Sequence, residues 1–498
     1  MTIPSLPVSL LFRTNAAFRP NLLLSLLCSV FLLPFVLQGG ESDTVSSHRD
    51  AERHYRRGVR FLLNHQLRRA EENLLQALSF DAKNGKIHWE TGWVYWQKGN
   101  WERTMHHWDK TREHTPQQED LEKFYGLAEQ YAKWEEIGKR RDRVYRAATS
   151  PFRQGKEGQI TIAAVGDIMM GSDYAGIERL PPFEGRTLFA GVRSGLVGDI
   201  VFGNLEGPLT DTPASTKCKE GKHCYVFRTP VRFARTLRAA GFNIVNVANN
   251  HIMDFGASGV KDTIAALSAN EIAHFGHISR PRIVLETNGV KVGFFGVSTT
   301  RCCIHINQIE RSEREVGRLG KTADIVVVSF HAGAEGLGAA HTPQGREFFY
   351  GEDRGDVRTF AHRMIDAGAD LVLGHGPHTL RGMEIYKNRA IVYSLGNFLG
   401  YLGFNTSGHL KYSMILRATI GKNGDLKEID VVPIELNPRA MPKIDPKGRS
   451  LILLNDLSRT DFGRNGIRLQ PSGRWISEPQ SDIRRSTQGD GISTKRSD

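Results

Sequence analysis

The sequence predicts an α/β domain preceded by a small all-α module. From about residue 159 onward, short apolar runs rich in β-branched residues alternate with amphipathic helical stretches. Ahead of them, Gly58, Gly92 and Gly126 recur at intervals of 34 residues, the period of paired-helix repeats. The side chains suited to chemistry fall just past the apolar runs, where open α/β sheets gather their ligands.

With 498 residues, 40% hydrophobic and 24% charged, the chain can bury one large core and a smaller one, which excludes fibrous and disordered classes. Lys and Arg total 66 against 54 Asp and Glu, a net charge of +12, which favours anionic partners. The excess is spread along the chain and no nucleic-acid module is legible, so nucleic acid is not an expected partner. Five cysteines exclude a disulfide-built scaffold. No CxxC pair has zinc-finger spacing, so a metal would be held by His, Asp, Glu and Asn.

Residues 1–40 read as an export segment. Arg13 and Arg19 precede the apolar run Leu22–Leu37, and Glu41 and Asp43 follow it, the basic, apolar, polar order of a secretory signal. The residues around Val36, Gln38 and Gly39 make a poor cleavage site, so a cleaved signal and an uncleaved membrane anchor both stand. Cys28 follows Leu27 rather than a small residue, which makes lipidation the lesser reading. The basic flank keeps the N-terminus cytoplasmic and places the rest of the chain outside.

Residues 48–148 read as tetratricopeptide-like helical repeats, two units closed by Pro116 and a third, charged helix from about Glu119 that caps the stack. A plain helical hairpin with a coincidental period is the competing reading. Trp89, Trp93, Trp96, Trp101 and Trp108 are spaced for one buried stripe, a core rather than a ligand platform. Such a module docks a partner peptide or tethers its neighbour.

After a linker around Ser150, Pro151 and Gly155, residues 159–437 form the α/β domain. Buried strands are expected at Ile160–Val165, Ile200–Phe202, Ile244–Val247, Val290–Val297, Ile325–Phe330 and Leu371–Leu373, and helices at Val231–Ala240 and Asp356–Ala367. Beyond Tyr412, MILRATI and IDVVPIEL read as an antiparallel pair around Gly421 and Gly424. Residues 438–477 are a C-terminal extension, and 478–498 a polar, disordered tail.

Five successive strand ends carry hard donors: Asp167 in GDIMMG, Asn204 and Glu206 in GNLEG, Asn249, Asn250, His251 and Asp254 in ANNHIMDFG, His331 and Glu335 in FHAGAE, and His375 and His378 in GHGPH. A single strand-end His is more often a hydrogen-bonded structural residue, but five such ends in a row point to a metal or phosphate site for zinc, manganese, iron or a related ion. Two ions about 3.5–4 Å apart can clamp the attacking and leaving oxygens of a phosphoryl transfer.

In this order the motifs, followed by IVYSLGNF, resemble the bacterial capsule-synthesis family, the CapA or poly-γ-glutamate capsule proteins related to calcineurin-like metallophosphoesterases, over Ile160 to Leu436. The resemblance implies a metallophosphatase αββα sandwich and a role in making or exporting an anionic surface polymer, in company with capsule synthase or export proteins reached through the helical repeats. It implies metal positions at Asp167, Glu206, Asn250, His251, His331 and one or both of His375 and His378, with His378 preferred. His251 and Glu335 are the candidate catalytic residues, Glu335 having the alternative role of orienting His331.

Two departures from the pattern bear on the metal. Met169 stands where metallophosphoesterases have the His of Asp-x-His, which implies one tight divalent ion and one weak position. Glu206 stands where they bridge two metals with Asp. Asp254 is expected to cap a helix, Asn397 to hold either a turn or the site, and Cys218 and Cys224 to close a disulfide loop or remain free. Cys302 and Cys303 are expected to pack rather than to bind metal. Two function classes follow: a polymer-assembly factor of the cell envelope, and a metal-dependent phosphoesterase or hydrolase acting on another extracytoplasmic phosphorylated or polymeric substrate.

Overall fold

The computed structural model describes residues 41–64, 66–139, 144–146, 156–174, 179–215, 217 and 225–476. The export segment with Cys28, the Cys218–Cys224 pairing and the 478–498 tail lie outside the described residues. No helix among the described residues is long and apolar enough to cross a membrane.

Five helices come first: α1 (Glu41–Leu63), α2 (Leu67–Phe80), α3 (Gly85–Gln97), α4 (Trp101–His114) and α5 (Leu121–Lys139). α1 packs on α2 and α3 on α4 as hairpins. The periodic glycines have a steric reason in the first two units. A Cβ on Gly58 would collide with Leu74 and one on Gly92 with the Trp108 indole, whereas Gly126 faces open space. Asn84 and Asn100 cap α3 and α4, their side-chain oxygens accepting the N–H groups of Ile87 and Arg103. Trp89, Trp93 and Trp108 are fully buried around Phe124, so the tryptophan stripe is core.

The α/β part begins with β1 (Val144–Arg146), β2 (Gln159–Met169), β3 (Ile200–Leu205), α6 (Ala234–Ala240), β4 (Ile244–Asn246), α7 (Gly256–Ala269) and β5 (Ala273–Phe275). It continues through β6 (Arg282–Thr287), β7 (Val290–Ser298), β8 (Ile304–His305), α8 (Ile309–Leu319), β9 (Ile325–His331), β10 (Glu347–Phe349), β11 (Glu352–Gly355), α9 (Val357–Asp366) and β12 (Leu371–His375). It closes with β13 (Met383–Tyr386), β14 (Arg389–Val392), β15 (Asn397–Gly400), β16 (Tyr412–Gly421), β17 (Leu426–Leu436), β18 (Pro442–Ile444) and α10 (Arg449–Phe462).

Apart from β10 and β11, which pair as a separate antiparallel hairpin, these strands build two eight-stranded sheets. One runs β1-β6-β7-β9-β12-β14-β13 with β8 beside β7, the other β18-β17-β16-β2-β3-β4-β5 with β15 beside β2. Alternation along each strand sorts side chains between layers. Ile160, Ile162 and Ala164 of β2 meet Val290, Val292 and Phe294 of β7 between the sheets, while Ala163 and Val165 face the outer layer that contains Leu237 of α6 and Val260 of α7. Val326 and Val328 of β9 join Val316 of α8 and Met364 of α9 in a buried cluster that continues into the helical module. This is the expected αββα sandwich, with the all-helical region ahead of it.

Two boundaries differ from the sequence reading. β1 lies within 48–148 yet pairs with β6 as an edge strand of the first sheet. The 438–477 stretch is no mere appendage, because Leu451, Leu454 and Leu457 of α10, with Ile467 and Leu469, complete the layer between the sheets. The helical module also docks on α8: Gln308 Nε2 donates to Trp96 O at 2.9 Å, Arg314 Nη2 to Lys98 O at 2.9 Å, and the Arg311 guanidinium lies 5.1 Å from the Trp101 ring centre.

Candidate metal centre

Parallel pairing aligns the carboxyl ends of β2, β3 and β4 in one sheet and of β9 and β12 in the other, and packing of the two sheets brings both sets to one edge of the sandwich. Asp167 is the register partner of Asn204 on one side and of Asn397 on the other. A side chain on Gly166 would collide with Gly396, so only glycine there lets the Asp167 N–H reach Gly396 O, 3.0 Å away. His331 ends β9. His378 follows β12 in a left-handed turn at φ +56°, a conformation that non-glycine residues seldom keep except where a site demands it. Asn397 fixes it at both ends: its Oδ1 accepts from His378 Nδ1 at 2.9 Å and its Nδ2 donates to His378 O at 3.1 Å.

Asp167, Glu206, His331 and His378 thereby offer ligand atoms that all lie within 4.8 Å of one another. Glu206 Oε1 is 3.4 Å from His378 Nε2, 3.7 Å from His331 Nε2 and 3.9 Å from His251 Nε2, and Asp167 Oδ2 is 3.3 Å from His378 Nδ1. Asp167 Oδ2, both Glu206 oxygens and both His331 nitrogens are buried with no hydrogen-bond partner. Buried polar atoms are almost always paired, so a cluster of orphans of this kind is one that a bound cation could satisfy. Two carboxylates with imidazoles suit manganese, zinc or iron, and the residues present fit such an ion.

The charges are mutually dependent. Burial works against ionised Asp167 and Glu206, but neighbouring His378 and His331 outweigh it and hold both below the usual carboxylate range. Burial likewise opposes a charged His378, yet Glu206, Asp167 and Glu335 push it up to about 10.

His251 stands beside this cluster with its ring oriented from behind. Asp254, fully buried, accepts from His251 Nδ1 at 2.8 Å, from Lys217 Nζ at 2.5 Å and from the Phe227 N–H at 2.8 Å. That leaves Nε2 toward Glu206. The Phe227 ring stacks on His251 at 4.1 Å, and Phe404 packs against both Phe227 and His378.

Four of the seven sequence-named metal residues therefore meet, His251 borders them, and Asn250 Oδ1 is buried without a partner. His375 does not join. Although it is the register partner of His331, its Nε2 lies 3.1 Å from Val165 O and its Nδ1 3.4 Å from Ser329 Oγ, so the ring is spent on the sheets. Glu335 does not orient His331, whose nitrogens have no partner. It pairs with buried Arg354 at 2.7 Å and its other oxygen is 3.9 Å from His378 Nε2. Asp254 does not cap α7, whose N-cap is Phe255. Asn397 serves the site.

Met169 is buried, its sulfur accepting the Gly171 N–H at 3.1 Å. Asn204, noted as a strand-end donor, proves to be a support, donating to Asp167 Oδ1 at 2.8 Å. Lys217, Phe227 and Phe404 reach the site from loops and Arg354 from β11, and none of them stands in a strand-end motif. Cys302 and Cys303 are free and buried.

Residues 161–401 match the family described as bacterial capsule synthesis protein PGA_cap. The chain is 29% identical over 305 residues to the capsule biosynthesis protein CapA of Bacillus anthracis, spanning 58% of this chain and 70% of that one. It is 29% identical over 329 residues to the PGA biosynthesis protein CapA of Bacillus subtilis strain 168, spanning 62% and 80%. A probable polyglutamine synthesis accessory protein of Mycobacterium tuberculosis is 28% identical over 228 residues, 39% of this chain and 56% of that one.

Proposed function

We propose, from the premise that the chain belongs through residues 161–401 to the bacterial capsule synthesis family, that it is an exported, cell-envelope protein serving biosynthesis or export of an anionic capsule polymer of the poly-γ-glutamate kind, and that its strand-end cluster holds a divalent ion. The observation that carries the metal reading is the set of unpaired buried donors on Asp167, Glu206 and His331. Asp167, Glu206, His331 and His378 would hold the ion, with His251 and Asn250 beside it.

A divalent ion there supplies Lewis acidity toward an anionic oxygen and lowers the pKa of a water. The chain's own residues set the rest. Asn397 keeps His378 Nδ1 occupied so that Nε2 faces Glu206, and Asp254 does the same for His251. Phe227 and Phe404 wall the two rings with apolar surface, which strengthens electrostatic contacts. The helical repeats, outside the metal edge, are the surface through which a synthase or export protein would be recruited, and the export segment places the domain beyond the cytoplasmic membrane, cleaved or anchored.

One observation favours the hydrolytic reading. His251 Nε2 lies at the edge of the cluster with its other nitrogen bound to a carboxylate, the arrangement of a general acid or base beside a reacting phosphoester. Assay of the purified full chain with bis-p-nitrophenyl phosphate after manganese loading tests it. Turnover that is lost in His251→Ala while the ion is kept supports an enzyme; absence of turnover with the ion in place supports the assembly role.

A further inference from the structure

We infer that the loops around the metal cluster form an apolar rim that seats this edge of the sandwich on a phospholipid bilayer, a reading that rests on the exported, cell-envelope role proposed above. Eleven large hydrophobic side chains are exposed among the described residues, and six of them ring this edge: Tyr225, Met253, Leu337, Phe348, Tyr350 and Leu402. Apolar residues scattered singly over a surface are ordinary, but their gathering around one opening marks an interaction site.

Each is tied to the site through a neighbour. Tyr225 stands two residues before Phe227, which stacks on His251, and Met253 lies between His251 and Asp254. Leu337 is two residues past Glu335, which approaches His378 Nε2 to 3.9 Å, and Leu402 is two before Phe404, which packs on His378. Phe348 and Tyr350 belong to the β10–β11 hairpin. Its base is fixed at the same edge, where Arg354 pairs with Glu335 at 2.7 Å and Glu347 accepts the Ala334 N–H at 2.9 Å.

The hairpin tip is the strongest of these features. Tyr350 at φ +47° and Gly351 at φ +80° form a two-residue turn in which both positions are left-handed. Asn, Asp or Gly suits the first of them, yet it holds a tyrosine that is 93% exposed. The Phe349 ring lies 4.4 Å from that of Tyr350, and the Arg346 guanidinium, paired with Asp353, lies 5.6 Å from the Phe348 ring. Aromatic rings beside a guanidinium at the end of a projecting turn suit the headgroup layer, which accommodates an apolar body and a polar end together.

Two observations favour a bilayer over a protein as the occupant. The six side chains come from five separate segments, and such tips can sink independently into a fluid interface, whereas a bound peptide needs a continuous groove. The apolar run Leu22–Leu37 ends four residues before Glu41, where α1 begins, so an export segment kept as an anchor holds the folded part close to the membrane. The metal cluster then opens toward the bilayer and meets its substrate at the membrane surface.

The test is photolabelling of the full chain on phosphatidylcholine and phosphatidylglycerol vesicles that carry a diazirine-bearing phospholipid, with adducts mapped by peptide mass spectrometry. Adducts should fall on the hairpin tip and on the Leu337 and Leu402 peptides about fivefold more than on peptides holding Leu75 of α2 or Ile452 of α10, exposed apolar residues outside the rim. Phe348→Ser/Tyr350→Ser should cut the adducts at Leu337 and Leu402 about threefold or more, since the tip sets the seating. Both substituted positions are exposed, so thermal unfolding and metal content should match the wild type. Even labelling of rim and outside peptides, or no change in the double variant, would overturn the rim. Adducts confined to residues 22–37 would sink the rim and leave anchored export standing; no adducts anywhere would remove both the rim and the anchor.

Discussion

Asp254 accepts from His251 Nδ1 at 2.8 Å while Lys217 Nζ sits 2.5 Å from its other oxygen, so one buried carboxylate orients an imidazole of the metal edge and neutralises a lysine. The consequence for stability is larger than that of a helix cap. Asp254→Ala removes one member of a buried charged set and should cost roughly 3–5 kcal/mol, against about 0.5–2 kcal/mol for a lost cap. Denaturant unfolding measures the difference; a loss within the cap range would show that the pairing contributes little.

The sign of the pH effect follows from the same group. Burial opposes ionised Asp254, but His251 and Lys217 outweigh it and lower its pKa below the ordinary 3.8. Its contribution is therefore fully present above the unfolded-state value and lost as pH falls through the lower, folded value. Wild type and Asp254→Asn should converge in stability under acid and diverge toward neutrality, measured by unfolding at a series of pH values. Convergence at neutral pH instead would contradict the pairing.

His331 and His375 are register partners with different work. His331→Ala should release the ion and leave the fold intact, because its ring makes no hydrogen bond that the sheets need. His375→Ala should keep the ion and cost about 1–3 kcal/mol, the penalty for leaving buried polar partners unmet. Metal content and unfolding on the two variants check this, and ion loss in His375→Ala would place that ring in the site after all.

How much was legible in the sequence follows from such pairs. β-branched runs betrayed the buried strands, and the polar residues just past them betrayed the edge where the site forms. The preference for His378 over His375 comes from the resemblance; its physical basis, a left-handed turn at His378 held by Asn397 nineteen residues later, leaves no local mark in the sequence. β1 escaped because three residues without alternation, isolated behind a helical repeat, carry no strand pattern. Asp254 looked like a cap because it precedes a helix; its true partners, Lys217 and Phe227, come from a distant loop.

Docking of the helical module predicts coupled unfolding. Trp101, buried against Arg311 of α8, joins a cluster that runs from the repeats into the first sheet. Trp101→Ala should cost roughly 3–5 kcal/mol and split one thermal transition into two, observed by calorimetry. Two transitions already in the wild type would mean that the modules unfold independently.

Metal binding should itself depend on pH. An ion must displace the proton from His378, held up to about 10 by Glu206, Asp167 and Glu335 against the effect of burial. Apparent affinity should therefore rise about tenfold per pH unit from neutrality toward pH 10. Without an ion the sign reverses: the charged ring stabilises the fold below the unfolded value near 6.5, and that contribution is lost as pH rises through about 10. Isothermal titration with manganese at stepped pH reads the slope, and a flat profile would remove His378 from the ligand set.

The central claim is that Asp167, Glu206, His331 and His378 form a metal centre, and elemental analysis of the purified, manganese- or zinc-loaded full chain tests it most directly. Met169, where a further imidazole would have been a ligand, sets the expected stoichiometry at about one tightly held ion per chain. One ion in the wild type, and none in Asp167→Asn or His331→Ala variants that unfold like the wild type, is the result this account predicts. No retained ion in the wild type, or an ion that survives both substitutions, would contradict it.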